Sequence, residues 1–186
     1  LNLRPGETLS VDQLLYALLV QSANDSAEVL AQNFIGGREA FIQAMNAKAQ
    51  SLRLFHTHFA NPTGLDEVDH YSTAADLARL SQELLRHPLL ARIVSTENAV
   101  ISSPASPSAY ILTNVNQLLG KVPGVLGIKT GFTDLAGQSL VTLVDRHNRQ
   151  LIIVILGSLD RFPDTEKLIE WSYSGFIASS SGALPG

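Results

Sequence analysis

The sequence predicts an α+β domain within the broad α/β class: a helical first half beside an antiparallel sheet that a last helix closes. Three observations carry that expectation. Up to Arg86 apolar residues recur at helical spacing behind capping signals; beyond Gly124 three β-branched runs follow one another with no room for crossover helices; and "FPDTEKLIEWSYSGF" returns to a helical pattern, with Pro163 near its first turn. Neighbouring strands must then be antiparallel.

Taken in order, "SVDQLLYALLV" opens with a capping box, Ser10 and Gln13, and is apolar almost all round, which predicts a buried helix. "DSAEVLAQNF" offers a second box in Asp25 and Glu28, and "REAFIQAMNAKAQSL" resumes with helix formers after the Gly36-Gly37 break. "FANPTGLDEVDHYS" is a loop rich in turn residues. "TAADLARLSQELLR" sets Leu77, Leu80 and Leu84 on one stripe and stops at His87-Pro88, since a residue before proline is pushed out of the helical region. "SSPASPS", Ser102 to Ser108, reads as a loop. The strands are "VLGIKTG", "QSLVTLV" and "QLIIVIL", separated by glycine or by the polar turn "DRHNR". In the last helix the stripe carrying Trp171 is expected to pack on the sheet, and "SSSGALPG" reads as a frayed end or the start of a linker.

Composition narrows the function classes. The 186 residues are 45% hydrophobic, enough for a sizeable core. With 13 basic and 17 acidic residues and no basic run, the chain lacks the electrostatic footprint of a nucleic-acid binder. Without cysteine there is neither a disulfide framework nor a thiolate nucleophile. The longest apolar run, Leu151 to Leu156, is far too short to span a bilayer. The first residue is Leu1, which fits a processed or trimmed chain.

One strand carries an anomaly. In "VLGIKTGFTD" the apolar run meets Lys129, with Thr130 and Gly131 directly behind. An ammonium on an apolar sheet face must reach water or meet an anion, because desolvating it unpaired is costly. Far upstream, "QSANDSAE" puts Ser22 and Asn24 at the junction of two predicted helices, where side chains can point into a cleft. Serine-x-asparagine followed much later by lysine-threonine-glycine on a strand makes two of the three elements of the penicillin-reactive serine acyl-transfer enzymes. Either alone is weak: by itself Lys129-Thr130-Gly131 is more often a strand end with its lysine reaching water, and Ser22 and Asn24 are most simply a helix stop and an N-cap.

More of the chain agrees. "SANDSA", "THFANPTGLD", "YSTAADLARL", "TNVNQLLG", "GVLGIKTGFTDLAGQSLV", "LIIVILG", then Arg161 and "KLIEW", together resemble the D-alanyl-D-alanine carboxypeptidases, the low-molecular-weight penicillin-binding proteins, from Gly6 to Phe176. The resemblance implies the penicillin-binding, β-lactamase-like fold with its N-terminal part missing. It implies a partial catalytic domain over residues 1–178, helical at about 8–120 with sheet and closing helix at about 121–178, and a tail or linker at 179–186. The family's serine-x-x-lysine nucleophile element is absent: Met45, Leu118, Leu126 and Asp164 stand three places before the lysines Lys48, Lys121, Lys129 and Lys167. In relatives that element lies upstream, so this chain alone is expected to be inactive.

By resemblance the substrate is a peptidoglycan stem peptide ending in D-Ala-D-Ala, and β-lactams inhibit the enzyme through an acyl-enzyme. Lys129 and the Thr130 hydroxyl would then face the terminal carboxylate. Gly131 would let the peptide lie along the strand, the Phe132 N–H would be one oxyanion donor, Asn24 would hold the substrate amide, and Ser22 would relay a proton. Arg161 would assist with the carboxylate, or else be a surface arginine paired with Asp160 or Asp164. The family needs no cofactor and no metal; His56, His58 and His70 with Asp66 read as a polar loop edge. The location implied is extracytoplasmic, in the periplasm or on the outer face of the membrane, with any membrane association made by segments outside this chain. Departures at Thr63, often histidine in relatives, and at Phe132, often polar or tyrosyl, bear on substrate preference. A serine β-lactamase or D,D-endopeptidase would use the same motifs, and a non-catalytic peptide-binding module is the alternative from another class.

Overall fold

The computed structural model describes residues 1–103 and 109–180. Five helices come first: α1 (Val11–Val20), α2 (Asn24–Gln32), α3 (Gly37–Ser51), α4 (Ala74–Leu85) and α5 (Pro88–Val94). A hairpin of β1 (Asn98–Ser102) and β2 (Ala109–Thr113) follows, then β3 (Val125–Thr133), β4 (Gly137–Arg146), β5 (Arg149–Ser158) and α6 (Arg161–Ser180). The main sheet is antiparallel in the order β3-β4-β5, and β1 pairs with β2 in a sheet of its own. The three predicted strands and the closing helix are therefore present.

Both faces of the main sheet are covered, which is why its strands read as continuous apolar runs. Along β4, Leu140 and Val144 point to one side and pack with Leu118, Ile169 and Tyr173 beneath α6. Val141 and Leu143 point to the other and pack with Val94 and Ile128, flanked by Leu77, Leu84 and Leu85 of α4. A third cluster seats α1 against α5 and the hairpin through Ala17, Val20, Ile93, Ile101 and Leu112. The β4–β5 connection is a two-residue turn, His147-Asn148, both with φ near +55° (54° and 58°), as a right-handed hairpin twist favours. Tyr173 fastens it, its hydroxyl donating to Arg149 O at 2.8 Å and lying 3.2 Å from Val144 O.

Several expectations are corrected. The capping box at Ser10 and Gln13 forms, but the one at Asp25 and Glu28 does not: α2 starts at Asn24 behind Ala23, Asp25 accepts from the Leu3 N–H at 3.0 Å, and Glu28 pairs with Arg38 at 2.9 Å. α4 does stop ahead of His87-Pro88, at Leu85, but a further short helix that was not expected, α5, starts at Pro88, with proline at a position whose N–H needs no partner. Trp171 is 72% exposed, because α6 turns Thr165, Ile169 and Tyr173 to the sheet and Trp171 lies two residues from that stripe, on the far side. The loop expected at Ser102 to Ser108 begins as strand, Ser102 closing β1, and its residues 104–108 lie outside the described residues. The tail's Ser179 and Ser180 belong to α6, and residues 181–186 lie outside as well.

Candidate active site

Ser22 owes its position to how α1 ends. The Ala17 carbonyl accepts both the Gln21 N–H (3.2 Å) and the Ala23 N–H (3.1 Å), a wide closure of the helix end in which the residue between Gln21 and Ala23 takes the left-handed conformation. That residue is Ser22, with φ of 58°. Glycine is the usual occupant; a serine there costs about 1 kcal/mol of backbone strain, so its hydroxyl is held at the expense of local stability. Buried Ala17, Val20 and Ala23 and the bond from Val115 N–H to Val20 O (3.1 Å) fix the junction to the body of the protein.

Across from it stands β3. Lys129 Nζ donates to Ser22 Oγ at 2.7 Å and to Thr130 O at 2.6 Å. Burial first, and then the charge of Arg161, lower the Lys129 pKa to about 8. Arg161, the first residue of α6, donates from Nη1 to Gly131 O at 2.6 Å and lies over the Phe162 ring at 4.9 Å from its centre. Its Nε is buried without a partner, and desolvation depresses its pKa too. The short link from β5 is held by Gln138, which donates to Leu159 O (2.8 Å) and accepts from the Arg161 N–H (3.3 Å). Among the described residues no carboxylate lies within ion-pair reach of either cation. Asp164 instead takes Ser158 Oγ at 2.7 Å and Lys167 at 3.3 Å.

Of the remaining candidates, Thr130, Gly131 and Phe132 follow Lys129 on β3, and Asn24 follows Ser22 at the start of α2. Thr130 is buried and Gly131 exposed; a Cβ on Gly131 would meet only Ser139 Cβ at 3.7 Å, ordinary contact, so packing within the chain does not demand glycine there. Phe132 is 64% exposed on the same strand. Asn24, exposed at the start of α2, makes no side-chain hydrogen bond among the described residues and borders a polar groove of about 390 Å³ with Glu28, Arg38, Thr63 and Asp66. A larger apolar cavity of about 630 Å³ between α1 and α2 shares none of these residues.

The sequence reading overlooked Asn61. It is buried in the "NPTGLD" loop, where its Oδ1 accepts from Thr63 N–H (3.1 Å), Thr63 Oγ1 (2.9 Å) and Gly64 N–H (2.8 Å), and its Nδ2 donates to Leu65 O (3.0 Å) and Glu67 (2.8 Å). Its signal was an amide just ahead of a proline-glycine turn. The nearby histidines are engaged locally: His58 Nδ1 lies 2.6 Å from Asp69 O, and His70 Nδ1 accepts from the Ala60 N–H at 3.1 Å, burial lowering the His70 pKa. Among the described residues no three such side chains are grouped to hold a metal ion, and no helix is long and apolar enough to cross a membrane.

This fold is that of penicillin-binding DD-peptidases. It matches the crystal structure of a Streptomyces DD-transpeptidase with a TM-score of 0.88 at 28% identity, over 93% of this chain and 71% of that one. It matches a D-alanyl-D-alanine carboxypeptidase from Mycobacterium tuberculosis at 0.86 and 31%, over 94% and 68%. The chain belongs to the D-alanyl-D-alanine carboxypeptidase family of S11 peptidases, whose pattern fits residues 1–159. Among its relatives, carboxypeptidase DacF of Bacillus subtilis is 33% identical over 94% of this chain and 45% of its own length. The D-alanyl-D-alanine endopeptidase of Escherichia coli is 34% identical over 95% and 58%, so the chain spans about half the length of these curated relatives.

Proposed function

We propose that the protein containing this chain is a serine-type D-Ala-D-Ala carboxypeptidase acting on peptidoglycan stem peptides outside the cytoplasm. The observation that carries the reading is the pair of neighbouring cations, Lys129 and Arg161, with no carboxylate among the described residues within ion-pair reach to neutralise them. Two partly desolvated positive charges are an unfavourable arrangement that an incoming anion relieves, and a peptide C-terminus is such an anion. The Thr130 hydroxyl supplements them.

The remaining residues fit acyl transfer. A serine of the longer protein attacks the penultimate D-Ala carbonyl; the C–N bond breaks, D-alanine leaves, and a serine ester remains until water hydrolyses it. The leaving nitrogen needs a proton, and the Ser22 hydroxyl, hydrogen-bonded to Lys129, relays one. With its pKa near 8, Lys129 can surrender and recover that proton close to neutral pH. The Phe132 N–H supports the oxyanion, and Asn24 offers a donor and an acceptor to the substrate amide. No serine-x-x-lysine occurs in this chain, so by itself it attacks nothing.

Mass spectrometry after exposure to penicillin tests this. The full-length protein should gain one penicillin mass on a serine outside this chain, and residues 1–186 alone should gain none. A full-length protein left unmodified, and inert toward D-Ala-D-Ala peptides, refutes the proposal. Endopeptidase action is a second reading, motivated by the 34% identity to the E. coli endopeptidase; release of cross-linked dimers measured against release of D-alanine decides between them.

A further inference from the structure

The helical half of the molecule touches β3 and the turn after it at two separate points. At one end Lys129 meets Ser22 at 2.7 Å. At the other, the Leu135 N–H, in the turn after β3, donates to Asp66 Oδ2 at 3.1 Å. Between them β3 advances from Lys129 to Thr133 by about 13 Å, at about 3.3 Å per residue. A peptide anchored by its carboxylate at Lys129 and extended along the strand therefore arrives at the second contact with roughly its third or fourth residue from the end.

Both partners in that contact are held in place. The Asn61 bonds shape the loop that presents Asp66, and Ala136 N–H closes the opposing turn on Thr133 Oγ1 at 3.1 Å. Asp66 borders the polar groove beside Asn24, and its Oδ1 has no hydrogen-bond partner among the described residues. The neighbouring carboxylates are engaged, Glu28 by Arg38 and Glu67 by Asn61.

We infer that Asp66 determines specificity for substrate length: one carboxylate oxygen ties the loop to the sheet, and the other accepts a backbone N–H from the third or fourth residue of a peptide lying along β3. A dipeptide substrate never reaches it; a stem-length peptide does. The inference rests on the peptidase reading above.

The test compares kcat/KM of the full-length protein and its Asp66→Ala and Asp66→Asn variants on an N-acylated D-Ala-D-Ala dipeptide and on a five-residue peptide ending in D-Ala-D-Ala. Asp66→Ala should lose about five- to twentyfold on the longer peptide, mostly through KM, and less than about twofold on the dipeptide. Asp66→Asn keeps one acceptor and the shape of the loop, and should show the same split at smaller amplitude. Equal losses on both peptides, or no loss on the longer one, overturn the inference while leaving the peptidase reading intact. A wild-type protein that cleaves neither peptide overturns that reading, and the role of Asp66 with it.

Discussion

The two contacts between the helical half and the sheet solve opposite problems. At the sheet end, Lys129 and Arg161 are partly stripped of water and have no compensating carboxylate among the described residues, and Ser22 sits in a strained backbone conformation. At the loop end, Asn61 uses both of its polar atoms in five hydrogen bonds of 2.8–3.1 Å, all inside its own loop. One end carries unmet electrostatic demand; the other has met its demand internally and gains rigidity. Polar groups kept for chemistry are those the fold leaves wanting, and polar groups kept for architecture are those it satisfies.

The largest expected effect breaks the sheet end. In the full-length protein Lys129→Ala should cut turnover of D-Ala-D-Ala peptides by about 10²- to 10⁴-fold, with the thermal midpoint unchanged or raised, because it removes a proton carrier and also a buried charge. A thermal midpoint several degrees lower would show Lys129 to be structural. Next comes the loop end, where Asn61→Ala should cost on the order of 3 kcal/mol in urea denaturation, since it strands several buried backbone and hydroxyl groups. A loss under about 1 kcal/mol would mean the loop is not held as described.

A pH series sharpens the contrast. The Lys129 pKa of about 8 in the folded protein lies below its ordinary value of 10.5, so between these pH values the unfolded chain binds more protons and folding stability rises with pH. The gain should be about 3 kcal/mol and should vanish in Lys129→Met. Over the same alkaline range KM for carboxylate substrates should rise as the ammonium is lost. A stability profile identical in wild type and Lys129→Met would show that the lysine is solvated. The smallest effect expected is for Trp171→Ala, within about 0.5 kcal/mol, because that ring faces water.

What the sequence disclosed follows the length and regularity of each signal. β3, β4 and β5 have nine or ten residues each, with β4 buried on both faces between β3 and a half-buried β5, so their β-branched runs are unmistakable. The hairpin strands have five residues each, with Val100 and Ile111 exposed, and α5 has seven; such short elements are set by tertiary contacts more than by pattern. Asp25 looked like a cap because residue type and spacing were right, yet the N-terminal segment draws it away through Leu3. In the site, Lys129 declared itself by interrupting an apolar run, whereas Asp66 and Asn61 lie in a turn-rich loop, where polar residues are ordinary and only three-dimensional neighbours distinguish them.

The outer margin of β5 has a practical consequence. Ten residues long and last in its sheet among the described residues, the strand presents an edge that no described strand pairs with, flanked by side chains such as Leu156 at 42% exposure. Such a margin pairs readily with another copy of itself. Prepared as residues 1–186, the polypeptide should self-associate as it is concentrated, and its sedimentation coefficient should climb with loading concentration.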